Sequence, residues 1–178
     1  MTLLALSITI LLLALLAYRA FQRALRVDRF KSRFQSLYPP SETVTWLARP
    51  GQRPLLAHLY KPSGWHHTDQ RPCIVLFFGG AWRVGSAWQF APFAQRLCAL
   101  GAVVVLPEYR IKSRDRSTVD EAVTDGFVVM DKVRESADCL GIDLARISVG
   151  GGSAGGHLAA WIATARRPNA SQAADAFK

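Results

Sequence analysis

The sequence predicts an α/β domain with a mostly parallel sheet carrying helices on both faces. Strand-like runs at 73–78, 102–106 and 147–150 alternate with segments of helical spacing. The first two runs are apolar throughout instead of at every second residue, the pattern of strands buried on both sides. The last run passes through a glycine-rich turn directly into an alanine-rich helical segment, as a strand-helix repeat requires.

The 178 residues suffice for one domain with a sizeable core, and half of them are hydrophobic. Cys73, Cys98 and Cys139 form no C-x-x-C pair and have no histidine at metal-ligand spacing, so they read as small buried residues. The formal charge of +9 is unevenly spread. Between Arg19 and Arg33 six basic residues face one acidic residue, Asp28, giving a local +5. A cluster of this kind beside an apolar segment fits anionic lipid headgroups better than nucleic acid, and no nucleic-acid partner is expected.

The chain opens with an apolar run from Leu3 to Tyr18, broken only by Ser7 and Thr9. At about 1.5 Å per residue it covers most of a bilayer's hydrocarbon core, and it spans if extended to Phe21. No charged side chain precedes it and no small-x-small cleavage site closes it. It therefore reads as an uncleaved anchor (1–21), followed by a basic juxtamembrane linker (22–43) and a domain from 44 to 178. The positive-inside rule then puts the body of the protein on the cytoplasmic side of the membrane. A divergent, cleaved signal would send it to the periplasm or outside instead.

Pro39-Pro40 ends the helical spacing of the linker. Val44 to Ala48 and Leu55 to Tyr60 read as an antiparallel strand pair at the sheet edge, separated by the turn Arg49-Pro-Gly-Gln-Arg-Pro54. After the first parallel strand, Phe90, Phe93, Ala94, Leu97 and Cys98 mark a helix that Gly101 closes. Thr118 and Glu121 form a capping box for a helix with Val119, Ala122, Val123, Gly126, Phe127, Met130 and Val133 on one face, ended by Gly141. The final helix runs from Ala154 to Ala165.

Chemistry concentrates where the third parallel strand ends. Gly151-x-Ser153-x-Gly155 spells a nucleophile elbow, in which a sharp strand-to-helix turn presents the serine hydroxyl above the sheet. The same letters hold Gly150-x-Gly152-x-x-Gly155, a dinucleotide fingerprint. That reading needs a ribose-binding acid about 20 residues on, after another strand. Only Asp175 is available, with no strand before it. The elbow instead finds support upstream. Phe78-Gly-Gly-Ala-Trp82 follows the first parallel strand, where small residues let backbone N–H groups approach a carbonyl oxygen.

Phe78-Gly-Gly-Ala-Trp82, Glu108-Tyr-Arg110, Leu140 to Ile147 and Gly151-Gly-Ser-Ala-Gly-Gly-His157 stand in the order and spacing of α/β-hydrolases. They resemble carboxylesterases of the hormone-sensitive-lipase and acetyl-esterase type, in the branch that acts on acylated polysaccharides. The resemblance covers about 44–165. It implies Ser153 as nucleophile, Gly80, Ala81 and Ala154 as oxyanion donors, and two-step hydrolysis of a small-molecule or acylated-carbohydrate ester through an acyl-serine, without metal or organic cofactor. Phe78 and Ala81 depart from the H-G-G-G form of the oxyanion loop. Trp82 and Trp88 are candidate pocket walls, with packing of the loop as the alternative.

The triad acid and histidine of this fold come after later strands, and only 25 residues follow Ser153. His157 is expected to pack beneath the elbow, His66 and His67 to lie in a solvated loop, and His58 in an edge strand. Asp175 has no histidine downstream. The expectation is thus an α/β-hydrolase sheet incomplete at its C-terminus, from a truncated chain or a noncatalytic binding relative. A prolyl-type peptidase is a further alternative, which Ala154 fits poorly in place of a bulky aromatic.

Overall fold

The computed structural model describes Leu15 and residues 32–164. Its five-stranded sheet has the order β1-β2-β4-β3-β5, with β1 at Glu42–Leu47, β2 at Leu55–Tyr60, β3 at Arg71–Phe77, β4 at Val103–Pro107 and β5 at Ile142–Gly151. The expected mostly parallel sheet is corrected to a mixed one. β3 pairs parallel with β4 and β5, whereas β2 pairs antiparallel with both β1 and β4. The β1-β2 hairpin is joined through β2 onto the parallel half, because β2 is apolar enough to be buried along nearly its whole length.

Besides the helical residues 32–37, five helices are described among residues 91–164: α1 at Ala91–Ala99, α2 at Lys112–Asp115, α3 at Val119–Glu135, α4 at Ala137–Leu140 and α5 at Ala154–Thr164. Val103 to Leu106 of β4 are all fully buried, so the sheet is covered on both faces there. Helix α1 packs on β4 and β2, while α5 packs on β5, β3 and α3. Gly126 lets α3 and α5 approach. A Cβ there would lie 2.8 Å from methyl carbons of both Leu158 and Ile162.

The capping box of α3 is formed as expected: Glu121 N–H donates to Thr118 Oγ1, and Glu121 Oε2 accepts from the Thr118 N–H. The helix stops earlier than expected, at Glu135, and Gly141 instead caps the separate turn α4 with φ of 61°. Strand β5 begins five residues before the apolar run, at Ile142. Its polar start is held locally, by Asp143 accepting from Ala145 N–H and Arg146, and by Arg146 reaching the Gln70 carbonyl.

The end of the expected linker packs against the domain. Residues 32–37 are helical, Phe34 and Tyr38 pack against the core, and Tyr60 Oη donates to the Tyr38 carbonyl at 2.8 Å. The expected anchor, residues 1–21, lies outside the described residues apart from Leu15. Among the described residues no helix is long and apolar enough to cross a membrane. Cys73 is buried as expected, but Cys98 is half-buried and Cys139 exposed; all three are free thiols.

Two ion networks fix the ends of β2 and β4. Asp125, fully buried on α3, accepts from Arg49 before β2 and from the backbone and side chain of Arg110 after β4. Glu108 pairs with Arg114. Burial pushes the Glu108 carboxyl up, but the neighbouring His58 and Arg114 outweigh it and bring its pKa down to about 2. In the unfolded chain it titrates near 4.5. The folded state therefore binds fewer protons between these values, and the stability this carboxylate confers above pH 4.5 is lost as the pH falls toward 2.

Two outcomes are expected. Thermal unfolding followed by circular dichroism should show a steep loss of stability on acidification below pH 4.5, flatter in Glu108→Gln. Asp125→Asn, which leaves Arg49 and Arg110 without their buried counter-charge, should cost about 3–5 kcal/mol in urea denaturation. A cost under about 1 kcal/mol would contradict the assigned network.

Candidate active site

The site is assembled where β3 and β5 end side by side. Their parallel register pairs Phe77 with Gly151, so the loops that follow both strands emerge together. Contact between these loops is backbone on backbone. A Cβ on Gly155 would lie 2.1 Å from the Phe77 carbonyl oxygen and 2.4 Å from that of Phe78. One on Gly151 would lie 2.4 Å from Phe77 O, and one on Gly79 would lie 2.6 Å from Gly152 O and 3.4 Å from Ser153 Cβ. No side chain fits at these positions without moving a strand.

Ser153 occupies the turn between β5 and α5 with φ of 50°, left-handed backbone that a non-glycine residue adopts at a cost of order 1–3 kcal/mol. The turn is held by Gly152 N–H donating to Phe77 O at 3.3 Å and by Gly155 N–H donating to Gly152 O at 2.9 Å. Ser153 is exposed, and α5 starts at the next residue, Ala154. The strained serine, the flanking glycines and the immediate helix are the local geometry of a nucleophile elbow.

The facing loop is also left-handed. Gly80, Ala81 and Trp82 have φ of 141°, 53° and 55°. Gly80 is forced: a Cβ there would lie 1.8 Å from the Val84 carbonyl oxygen. Gly80 O closes the turn by accepting from the N–H groups of Arg83 and Val84. Among the described residues, no carbonyl or side chain accepts from the N–H of Gly80, Ala81 or Ala154. Three donors in two apposed turns beside an exposed hydroxyl match what an oxyanion site needs.

Sequence reasoning missed the residues that clamp this loop. The Gln89 side-chain amide makes both hydrogen bonds to Gly79, accepting from its N–H and donating to its carbonyl, each at 3.1 Å. A lone glutamine outside the apolar pattern leaves no sequence signal for this role. Tyr109, in the quoted Glu108-Tyr-Arg110 motif, stacks on Phe78 and donates to its carbonyl at 2.7 Å. Burial, with the charge of Glu108 nearby, pushes the Tyr109 phenol well above its ordinary range, so it remains a donor. Lys112 and Ser113 N–H bond to the carbonyls of Trp82 and Arg83.

The two tryptophans separate. Trp82 is half-buried beside His157, with ring centroids 5.6 Å apart. Trp88 is buried in the core against His58 and walls no open surface. The histidines also differ from expectation. His58 is not on an edge strand, since β2 lies between β1 and β4; it is buried, with Nδ1 2.9 Å from Thr43 Oγ1 and Nε2 3.8 Å from Glu108. His157 is exposed between Trp82 and Trp161 and does not pack beneath the turn. His66 and His67 are exposed, as expected. Among the described residues no histidine hydrogen-bonds the Ser153 hydroxyl, and no group of histidine, cysteine or carboxylate side chains has metal-site geometry.

This arrangement has counterparts in known proteins. The BD-FAE family model matches residues 58–176. An AB hydrolase superfamily protein of Schizosaccharomyces pombe is 34% identical over 105 residues, covering 58% of this chain and 30% of that protein. The carboxylesterase NlhH of Mycobacterium tuberculosis is 35% identical over 101 residues, covering 56% of this chain and 31% of the relative. Among solved structures, a butyrate-bound thermophilic esterase of the planctomycete Thermogutta terrifontis aligns with a TM-score of 0.67 at 38% identity, over 70% of this chain and 44% of that one. The chain thus spans about a third of the length of the curated relatives it matches. It belongs to the BD-FAE family and is similar in sequence and fold to α/β-hydrolase carboxylesterases.

Proposed function

We propose that this chain carries the acyl-binding half of a serine carboxylesterase, with Ser153 as nucleophile and the N–H groups of Gly80, Ala81 and Ala154 as oxyanion donors. The observation that carries the reading is the exposed, left-handed Ser153 packed against a glycine-tight loop with free N–H groups. In the forward step Ser153 Oγ bonds to the ester carbonyl carbon and the carbonyl oxygen takes the negative charge. The serine proton leaves to a base, the alcohol departs with a proton, and water later releases the acid. His157 is not that base: it is turned to Trp82 and Trp161. With no histidine bonded to Ser153 among the described residues, the chain alone should turn over slowly, assisted by the oxyanion donors.

The proposed substrates are carboxylic esters of short acyl groups, acylated carbohydrates among them, with Trp82 beside the acyl position. The family relatives favour neither a noncatalytic binding role nor a prolyl-type peptidase. For the rest of the chain we propose residues 1–21 as a membrane anchor, 22–43 as a basic juxtamembrane stretch and 44–178 as the hydrolase portion, on the cytoplasmic side. The apolar run and the adjoining positive charge support this, and release from membranes by carbonate would contradict it.

Paraoxon provides the test of the site, because it phosphorylates serine without needing a departing alcohol to be protonated. Peptide mass spectrometry of the treated chain should find a diethylphosphoryl group on Ser153, absent in Ser153→Ala. No label on a folded chain would contradict the elbow. His157→Ala should leave labelling and the slow cleavage of p-nitrophenyl acetate unchanged; loss of both would make His157 the base. Gly80→Ala keeps the N–H, but its Cβ would collide with the Val84 carbonyl and displace the loop that presents two of the donors; labelling should slow about 100-fold or more, the usual scale for a misplaced oxyanion donor.

A further inference from the structure

A second cluster of charged side chains lies outside the machinery around Ser153. The turn between β1 and β2 and the segment after β4 face each other, and Gly51, Gln52, Arg53, Arg110, Arg114, Asp115 and Arg116 enclose a cavity of about 200 Å³. Four arginines thus share the lining with one carboxylate residue. Two are held as fixed charges: Arg110 by Asp125 and Glu121, and Arg114 by Glu108, Asp115 and the Tyr109 carbonyl. Each Nη of Arg114 uses one of its two hydrogens in these bonds, which leaves one N–H on each. Arg53 and Arg116 are exposed and pair with no carboxylate among the described residues.

A smaller recess beside the cavity adds a further positive charge. Arg49 lines an adjoining recess with Arg53, Arg110, Arg114 and Asp115, and its side chain is 10% exposed. Its Nη atoms hold Asp125, but its Nε is buried with no hydrogen-bond partner. A buried charged donor without an acceptor costs more than a neutral one, so the recess beside the cavity is under-supplied with negative charge.

We propose that this cavity binds a compact oxyanion, namely phosphate, free or as the monoester of a small metabolite. The volume corresponds to the share of roughly six or seven water molecules and lies below the range of drug-sized pockets. A phosphate group fits within it, and the organic part of a monoester would extend through its open side. Guanidinium forks match phosphate oxygens in pairs, and prepaid rigidity at Arg110 and Arg114 reduces the ordering that binding requires. The site adjoins the oxyanion loop through the Lys112 and Ser113 amides but shares no residue with it.

Isothermal titration of the full chain with sodium phosphate at constant ionic strength tests this. One-site binding is expected, weakened at least tenfold in the double variant Arg53→Gln/Arg116→Gln, whose residues hold no carboxylate. The control Arg96→Gln/Arg134→Gln removes the same charge from α1 and α3 and should bind as the parent does. Ser153→Ala should also bind phosphate normally, so the outcome is independent of the esterase reading. Heat no greater than that from chloride, or equal weakening in the two double variants, would overturn the site.

Discussion

The site depends on one close approach: backbone on backbone between the loop that follows β3 and the turn that follows β5. Gly79, Gly151 and Gly155 make it possible, since a Cβ at any of them would fall 2.1 to 2.6 Å from a carbonyl oxygen of the other segment. These are not glycines of flexibility; they are glycines of contact. The parallel pairing of Phe77 with Gly151 brings the strand ends level, and the missing side chains let the loops close above them. With that contact in place Ser153 is left at the crest of a strained turn, beside N–H groups that no acceptor takes among the described residues.

The strain at Ser153, Ala81 and Trp82 must be held by something, and the structure shows by what. Gln89 grips both backbone groups of Gly79, Tyr109 grips Phe78, and the amides of Lys112 and Ser113 grip Trp82 and Arg83. Two segments outside the loop, at Gln89 and at 109–113, therefore share the task of keeping it preorganised. The salt bridges of Glu108, Arg110 and Arg114 anchor the segment that supplies two of these grips. Buried ion pairs contribute little net stability when whole, but they specify one arrangement of the chain and are costly to break.

Much of this was legible in the sequence, for identifiable reasons. Uniformly apolar runs marked β2, β3 and β4, the Thr118/Glu121 box marked the start of α3, and the glycine spacing around Ser153 marked the elbow. What was not legible depends on three-dimensional pairing. The antiparallel joining of β2 to β4 cannot be read from a run that looks equally suited to an edge. The polar start of β5 follows no apolar pattern, because Asp143 and Arg146 satisfy it locally. Trp88 and Trp82 carry the same side chain six residues apart, yet one is core and the other borders the serine. Gln89 is invisible until its partner glycine is placed.

If Gly80, Ala81 and Ala154 are oxyanion donors, their N–H groups should respond together when Ser153 becomes covalently tetrahedral. Backbone amide NMR of the chain before and after phosphorylation by paraoxon observes this at each donor separately. The expected result is a downfield shift of all three amide protons, with Gly79, whose N–H is held by Gln89, little changed. A phosphorylated Ser153 with those three resonances unmoved would contradict the proposed site.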